Sequence, residues 1–280
     1  MAKKNMRIEK DSMGDVKVPA EAYYGAQTQR AIDNFRISQL QFSKSFIYSL
    51  AIIKRSAAIV NCKLKKIDNK YSKAIIQACD EILEGKFDNQ FKVDVFQTGS
   101  GTSSNMNMNE VIANRASQIL GGKLGSKEPV HPNDHVNLGQ SSNDVIPSAI
   151  HMSVYNDINS RLLPSLTQLE KSLLKKKKEF SDIIKIGRTH LQDATPITLA
   201  QEFSGYSQMI KNGIKRIKHT QLFLSELAQG GTAVGTGINT NKNFGSLIAK
   251  EISNYTGLKF SEAQNHFEAQ SSQDASLELS

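Results

Sequence analysis

The chain contains no apolar run near the roughly 20 residues needed to cross a bilayer. Its longest candidates, such as Ile47 to Ile53, are interrupted by Tyr and Ser. Cysteine is nearly absent: Cys62 and Cys79 are the only two, neither with a nearby Cys partner, so no disulfide framework or zinc motif is present and a reducing compartment is expected. The first ten residues are basic but lack the apolar core of a secretory signal, and they do not resemble an Arg- and Ser-rich transit peptide. A cytoplasmic, soluble, globular protein is expected. Proline is missing from the 84 residues after Pro196, which permits long uninterrupted helices. Period-two alternation is scarce as well, leaving room for a short hairpin near the amino terminus and little other sheet.

At 280 residues and 39% hydrophobic content, the chain can bury a substantial core. The net charge of +8 suits nucleic acid, a membrane surface or small anions. Apart from Lys175 to Lys178, the basic residues are scattered, and no aromatics are interleaved to stack bases, so neither nucleic acid nor a membrane is expected as a partner. Leu162, Leu166, Leu169 and Leu173 recur at helical spacing, as do Phe203, Tyr206, Ile210, Ile214, Ile217, Leu224 and Leu227 with one gap. These stripes predict the buried seams of a helical bundle, with the lysine run on a solvated side. Phe42 to Leu64 also reads as helix, and Glu268 to Ser280 as a helix-compatible stretch that stops without a terminator. The expected architecture is mainly α, with a helical amino-terminal domain at 1–140 and an incomplete central bundle at 141–280.

Four segments concentrate small hydroxyl, amide and glycine residues ahead of helix-compatible runs. In TGSGTSSNMNMNEVIANRA (98–116), Gly99 and Gly101 permit a tight turn, while Ser100, Thr102 and Ser103 supply hydroxyls at a helix start where free N–H groups attract anions. Neither a Walker loop nor a dinucleotide fingerprint follows, and an ordinary capped helix start remains an equal alternative. In HPNDHVNLGQSSNDVIPSAIHMS (131–153), Ser141, Ser142 and Asn143 either cap a helix or offer donors to a carboxylate. His131 and His135 stand four apart beside Asp134, but Pro132 disfavours a regular helix there. A surface anion site or structural turn is expected in place of a metal site. In GRTHLQDATPITLAQEF (187–203), His190 lies among hydroxyls and amides and is the natural proton carrier near neutral pH. GGTAVGTGINT (230–240) reads as a flexible turn between helices.

On these residues the chain resembles the fumarase and aspartase superfamily, from RIEKDSMGDVKVPAEAYYGAQTQRAIDNF (7–35) through GGTAVGTGINT, which is nearly its whole length. The forms GSGTSSNMN, HPND, SSND and GRTHLQDATP are those of the class II fumarases within it. Aspartate ammonia-lyases typically carry Gln at the position of His190 and Thr for one of Ser141 and Ser142. The resemblance implies reversible hydration of fumarate to malate in the tricarboxylic acid cycle, without metal or cofactor, by a homotetramer whose pockets are shared between subunits. It assigns His190 the catalytic water and assigns Ser100, Gly101, Thr102, Ser141, Ser142, Asn143 and Thr189 the substrate. A second anion site would comprise His131, Pro132, Asn133 and Asp134, where the nearby Glu128 weakens anion affinity. The family's mobile Gly-Ser-Ser-x-Met-Pro-x-Lys-x-Asn loop, which bears its carbon base, does not occur in these 280 residues. The chain alone is therefore expected to be inactive. Aspartate ammonia-lyase and a non-catalytic helical scaffold are the alternative expectations.

Overall fold

The computed structural model describes residues 5–280. An antiparallel hairpin opens the chain, β1 (Met6–Asp11) pairing with β2 (Gly14–Pro19) so that Met6 faces Pro19 and Asp11 faces Gly14. The expected amino-terminal hairpin is therefore present. Helices α1 (Ala26–Asn34), α2 (Lys44–Lys63), α3 (Asn69–Leu83), α4 (Thr102–Ile119) and α5 (Ser142–Asp157) follow. The helix expected over 42–64 is α2, which starts where the Ser43 hydroxyl accepts the Phe46 amide at 3.3 Å and fixes the first turn.

Contacts divide the chain into two compact units: Met1–Val154 with Ser225–Asp274, and Tyr155–Leu224 with Ala275–Ser280. In the first, the apolar sides of α2 and α3 meet through Leu50, Ile53, Ala57, Ile75, Ala78 and Ile82, all fully buried. Helix α8 (Phe244–Thr256) adds Phe244, Ile248 and Ile252 against α2. The central rod is α4, which is polar in sequence yet buried from Ser104 to Asn114. It can be buried because its carboxylate and the amino groups of its amides find partners on neighbouring segments. Asn107 Nδ2 donates to the Gln90 carbonyl at 3.1 Å, and Asn114 Nδ2 to the Tyr23 carbonyl at 2.7 Å. Glu110 accepts the Gly25 and Thr28 amides at 2.8 and 3.1 Å and the Thr28 hydroxyl at 2.6 Å, which satisfies the start of α1. Short parallel strands β5 (Glu226–Leu227) and β6 (Ser261–Glu262) and the helix α9 (His266–Ser271) complete this unit.

The second unit is an antiparallel helix pair, α6 (Leu163–Glu179) and α7 (Leu199–Leu224), joined by a hairpin of β3 (Ile184–Thr189) and β4 (Gln192–Thr198). The hairpin was not expected from sequence. Its alternation is broken by a bulge between Ile186 and Arg188 and by Pro196. Helices α6 and α7 do pair, with Phe180 edge-on to Phe203 at 5.1 Å, but the two predicted seams are not buried as expected. No residue of α6 is buried, and the seam residues Leu169 and Tyr206 are 44% and 42% exposed, because a two-helix layer covers only one side of each rod. Leu227 falls in β5, beyond the end of α7. The carboxyl stretch from Glu268 breaks at Ser272, where the backbone turns extended, before a last helix α10 (Asp274–Leu279). Among the described residues, no helix is long and apolar enough to cross a membrane.

Candidate active site

Two of the expected loops lie side by side at the amino ends of α4 and α5. Gly101 precedes α4 with φ 68°, and a Cβ there would stand 2.9 Å from the Ile146 side chain on α5. Only glycine permits both that backbone and that approach. Its flanking hydroxyls, Ser100 and Thr102, are exposed and share a hydrogen bond of 2.9 Å. The first turn of α4 is satisfied from upstream, where Gln97 Oε1 accepts the Ser104 amide at 2.8 Å and Nε2 donates to the Ser104 hydroxyl at 2.7 Å. That leaves the hydroxyls of Ser100 and Thr102 outside the cap.

At the start of α5 the three residues make different contacts. Ser141 Oγ accepts the Asn143 amide at 3.2 Å, and Asp144 Oδ1 accepts the Ser141 amide at 2.9 Å, so Ser141 and Asp144 form the reciprocal cap. Ser142 Oγ takes no part in it. It accepts a hydrogen bond from Asn105 Nδ2 of α4 at 3.0 Å. Asn143 Nδ2 donates to the Ala233 carbonyl at 2.6 Å, and Asp144 Oδ2 accepts the Thr232 amide at 2.8 Å. The glycine-rich segment at 230–240 is thereby held against the start of α5. It runs between β5 and α8, and Gly230, Gly235 and Gly237 all have positive φ. Three of the four expected segments thus converge.

Beneath them lies a polar layer that sequence reading missed. Lys54, fully buried on α2, donates from Nζ to Asn137 Oδ1 at 2.8 Å and to Gln140 Oε1 at 3.0 Å. Burial pushes its ammonium down to about 7 and pushes the fully buried Asp144 carboxyl up to about 7; each charge tempers the other's shift. A lysine inside an apolar helical stripe was one sequence signal that could have revealed this layer, and the closely spaced asparagines of NMNMNE were another.

The HPND residues form a separate turn. Pro132–Val136 is a single π-helical turn, wide enough to accommodate Pro132 at its start. His131 Nδ1 lies 3.3 and 3.2 Å from the Asn133 and Asp134 amides and 3.1 Å from Asp134 Oδ2. The ring nitrogen accepts from both amides. His135 Nδ1 accepts the His131 amide at 2.8 Å, and burial lowers the affinity of that ring for a proton. Asn133 and Asp134 are exposed, and Pro132 is buried.

In the second unit, Thr189 ends β3 and pairs with Gln192, so His190 and Leu191 form the two-residue hairpin turn, with Leu191 at φ 55°. Both Thr189 and His190 are exposed. Gly187 allows the tight bulge behind them, since a Cβ there would meet the Thr195 carbonyl at 2.5 Å. The histidine is thus carried on a short, defined turn.

The chain is a mainly helical scaffold with hydroxyl- and amide-rich helix starts. The family described as Lyase matches residues 14–280, and the chain belongs to it. It is 54% identical over 278 residues to the mitochondrial fumarate hydratase of Saccharomyces cerevisiae, and 53% identical over 269 residues to the class II fumarate hydratase of Caulobacter vibrioides. These alignments cover 99% and 96% of this chain but 57% and 58% of the relatives, so the chain spans somewhat over half their length. The crystal structure of class II fumarase from Schistosoma mansoni matches with a TM-score of 0.96 at 43% identity, over 98% of this chain and 61% of that one. The resemblance to class II fumarases drawn from the four motifs is met in sequence and in fold.

Proposed function

We propose that the protein to which this chain contributes is a fumarate hydratase, adding water reversibly across fumarate to give malate in the tricarboxylic acid cycle. The observation that carries the reading is the convergence of Ser100, Thr102, Ser142 and Asn143 at two adjacent helix starts, in a chain 54% identical to a fumarate hydratase. Fumarate carries two carboxylates. Addition of water oxygen to one alkene carbon pushes the electron pair onto the other carbon and into its carboxylate, raising the negative charge there until a proton arrives at that carbon. Hydroxyls, amides and helix-start N–H groups aimed at that carboxylate stabilise the charge as it grows. Ser100, Gly101, Thr102, Ser141, Ser142, Asn143 and Thr189 are assigned this binding role. His190 takes the proton from the attacking water and returns it in the reverse direction. The HPND turn, His131 to Asp134, is assigned a second anion site.

The working protein is proposed to be a homotetramer with shared sites, supported by the apolar surface left open on α6 and α7. A cytoplasmic location is supported by two free cysteines. Fumarate absorbance, followed in the full-length gene product with malate supplied, tests the activity, and His190→Asn should lower kcat about a hundredfold or more, as expected on losing a general acid–base group. Near-normal turnover in that variant rejects the role of His190. Ammonia release from aspartate without hydration would instead assign the protein to the ammonia-lyases.

A further inference from the structure

We propose that Lys54 is a positioning residue for the substrate-binding hydroxyl of Ser142, acting through Asn137 and Asn105. The inference deepens the fumarase reading and rests on it. The chain of contacts has a single consistent direction, set at its buried end. Asn137 Nδ2 donates to the Gln140 carbonyl at 3.2 Å, and Gln140 Nε2 donates to the Val136 carbonyl at 3.1 Å. Those two backbone oxygens hold both amides with their own oxygens turned towards Lys54, which donates to each. Asn137 Oδ1 is then an acceptor only. Asn105 and Asn109 both approach it, at 3.3 and 3.2 Å, and each must present its amino group, since a carboxamide oxygen there would face another oxygen.

The cost of this orientation is visible. Among the described residues, Asn105 Oδ1 and Asn109 Oδ1 are buried without a partner. Two unsatisfied acceptors are tolerated so that every donor points the same way. The far end of the chain is the Asn105 amino group, 3.0 Å from Ser142 Oγ. A hydroxyl that accepts from behind has its own proton left to donate forwards, as an anionic ligand requires. Lys54, Asn137 and Asn105 thus hold Ser142 as a donor before any substrate arrives, sparing that ordering at the moment of binding.

The test is a double-mutant cycle on kcat/KM for fumarate in the full-length gene product, with Lys54→Met, Ser142→Ala and the double variant. Lys54→Met should lower kcat/KM by about tenfold, the scale of a misdirected hydrogen bond to a charged group, and chiefly through KM. The double variant should then be no worse than Ser142→Ala alone, because the lysine acts only through that hydroxyl. Losses that simply add, as general loosening of the core would produce, overturn the proposal, as does a Ser142→Ala variant with wild-type kcat/KM. If Lys54→Met does not fold, Asn105→Asp replaces the donor by an acceptor and turns the Ser142 proton inward. The same cycle applies to it, with the same two outcomes. A wild type without hydratase activity overturns the fumarase reading and this inference with it; an active wild type with an additive cycle overturns this inference alone.

Discussion

Gly101 occupies a position where two constraints coincide. Its φ of 68° strains any side-chain-bearing residue, and a Cβ would press on Ile146 at 2.9 Å. Gly101→Ala should therefore destabilise the protein by about 1–3 kcal/mol, the range for an incompatible backbone combined with overpacking. Chemical denaturation measures this, and an unchanged midpoint would show that the α4 and α5 starts do not press together as described. At this scale the sequence was informative about residue type and poor about task. The hydroxyl and amide clusters were visible as SSND and GSGTSS, but the division of labour within SSND was not, because it depends on Asn105, Ala233 and Thr232 arriving from elsewhere in the chain. Lys54 stood out only as a lysine within an apolar stripe of α2; its partners Asn137 and Gln140 come from elsewhere in the chain, so its task was not legible.

Among the elements, α4 departs furthest from the usual apolar-in, polar-out pattern. Its polar side chains are buried because they terminate other segments, and Glu110 is the clearest case, receiving the Gly25, Gln27 and Thr28 amides and the Thr28 hydroxyl. Glu110→Ala leaves several buried donors without an acceptor, at about 1–3 kcal/mol for each such group, so a total loss of at least about 3 kcal/mol is expected. A loss below about 0.5 kcal/mol, the size of an ordinary surface change, would contradict the cap. Helices with sustained apolar spacing, α2, α6 and α7, were legible from periodicity alone. The β3–β4 hairpin was not, since its turn, His190–Leu191, lacks the usual Asn-Gly or Gly chemistry and its bulge interrupts the alternation. Consequently, sequence reading recognised His190 as chemically apt but did not place it on a hairpin turn.

At the largest scale, the second unit keeps an apolar surface exposed. Leu162, Leu169, Tyr206 and Met209 are each at least 39% exposed along helices whose spacing predicted a bundle seam. The periodicity marked the helices, but the seam it predicted is left open in this chain. The proposed homotetramer accounts for this surface. Sedimentation of the full-length gene product should show a tetramer, and Leu169→Glu together with Met209→Glu should shift it to smaller species by placing charges in an apolar interface. A monomeric wild type would contradict the assembly.

Neutral donors at the starts of α4 and α5 are proposed to grip a dicarboxylate. A crystal of the full-length protein soaked with a non-reacting four-carbon dicarboxylate tests it most directly. The predicted result is a carboxylate within hydrogen-bonding distance of Ser100, Thr102, Ser142 and Asn143. A dicarboxylate bound elsewhere, with those four side chains untouched, would contradict it.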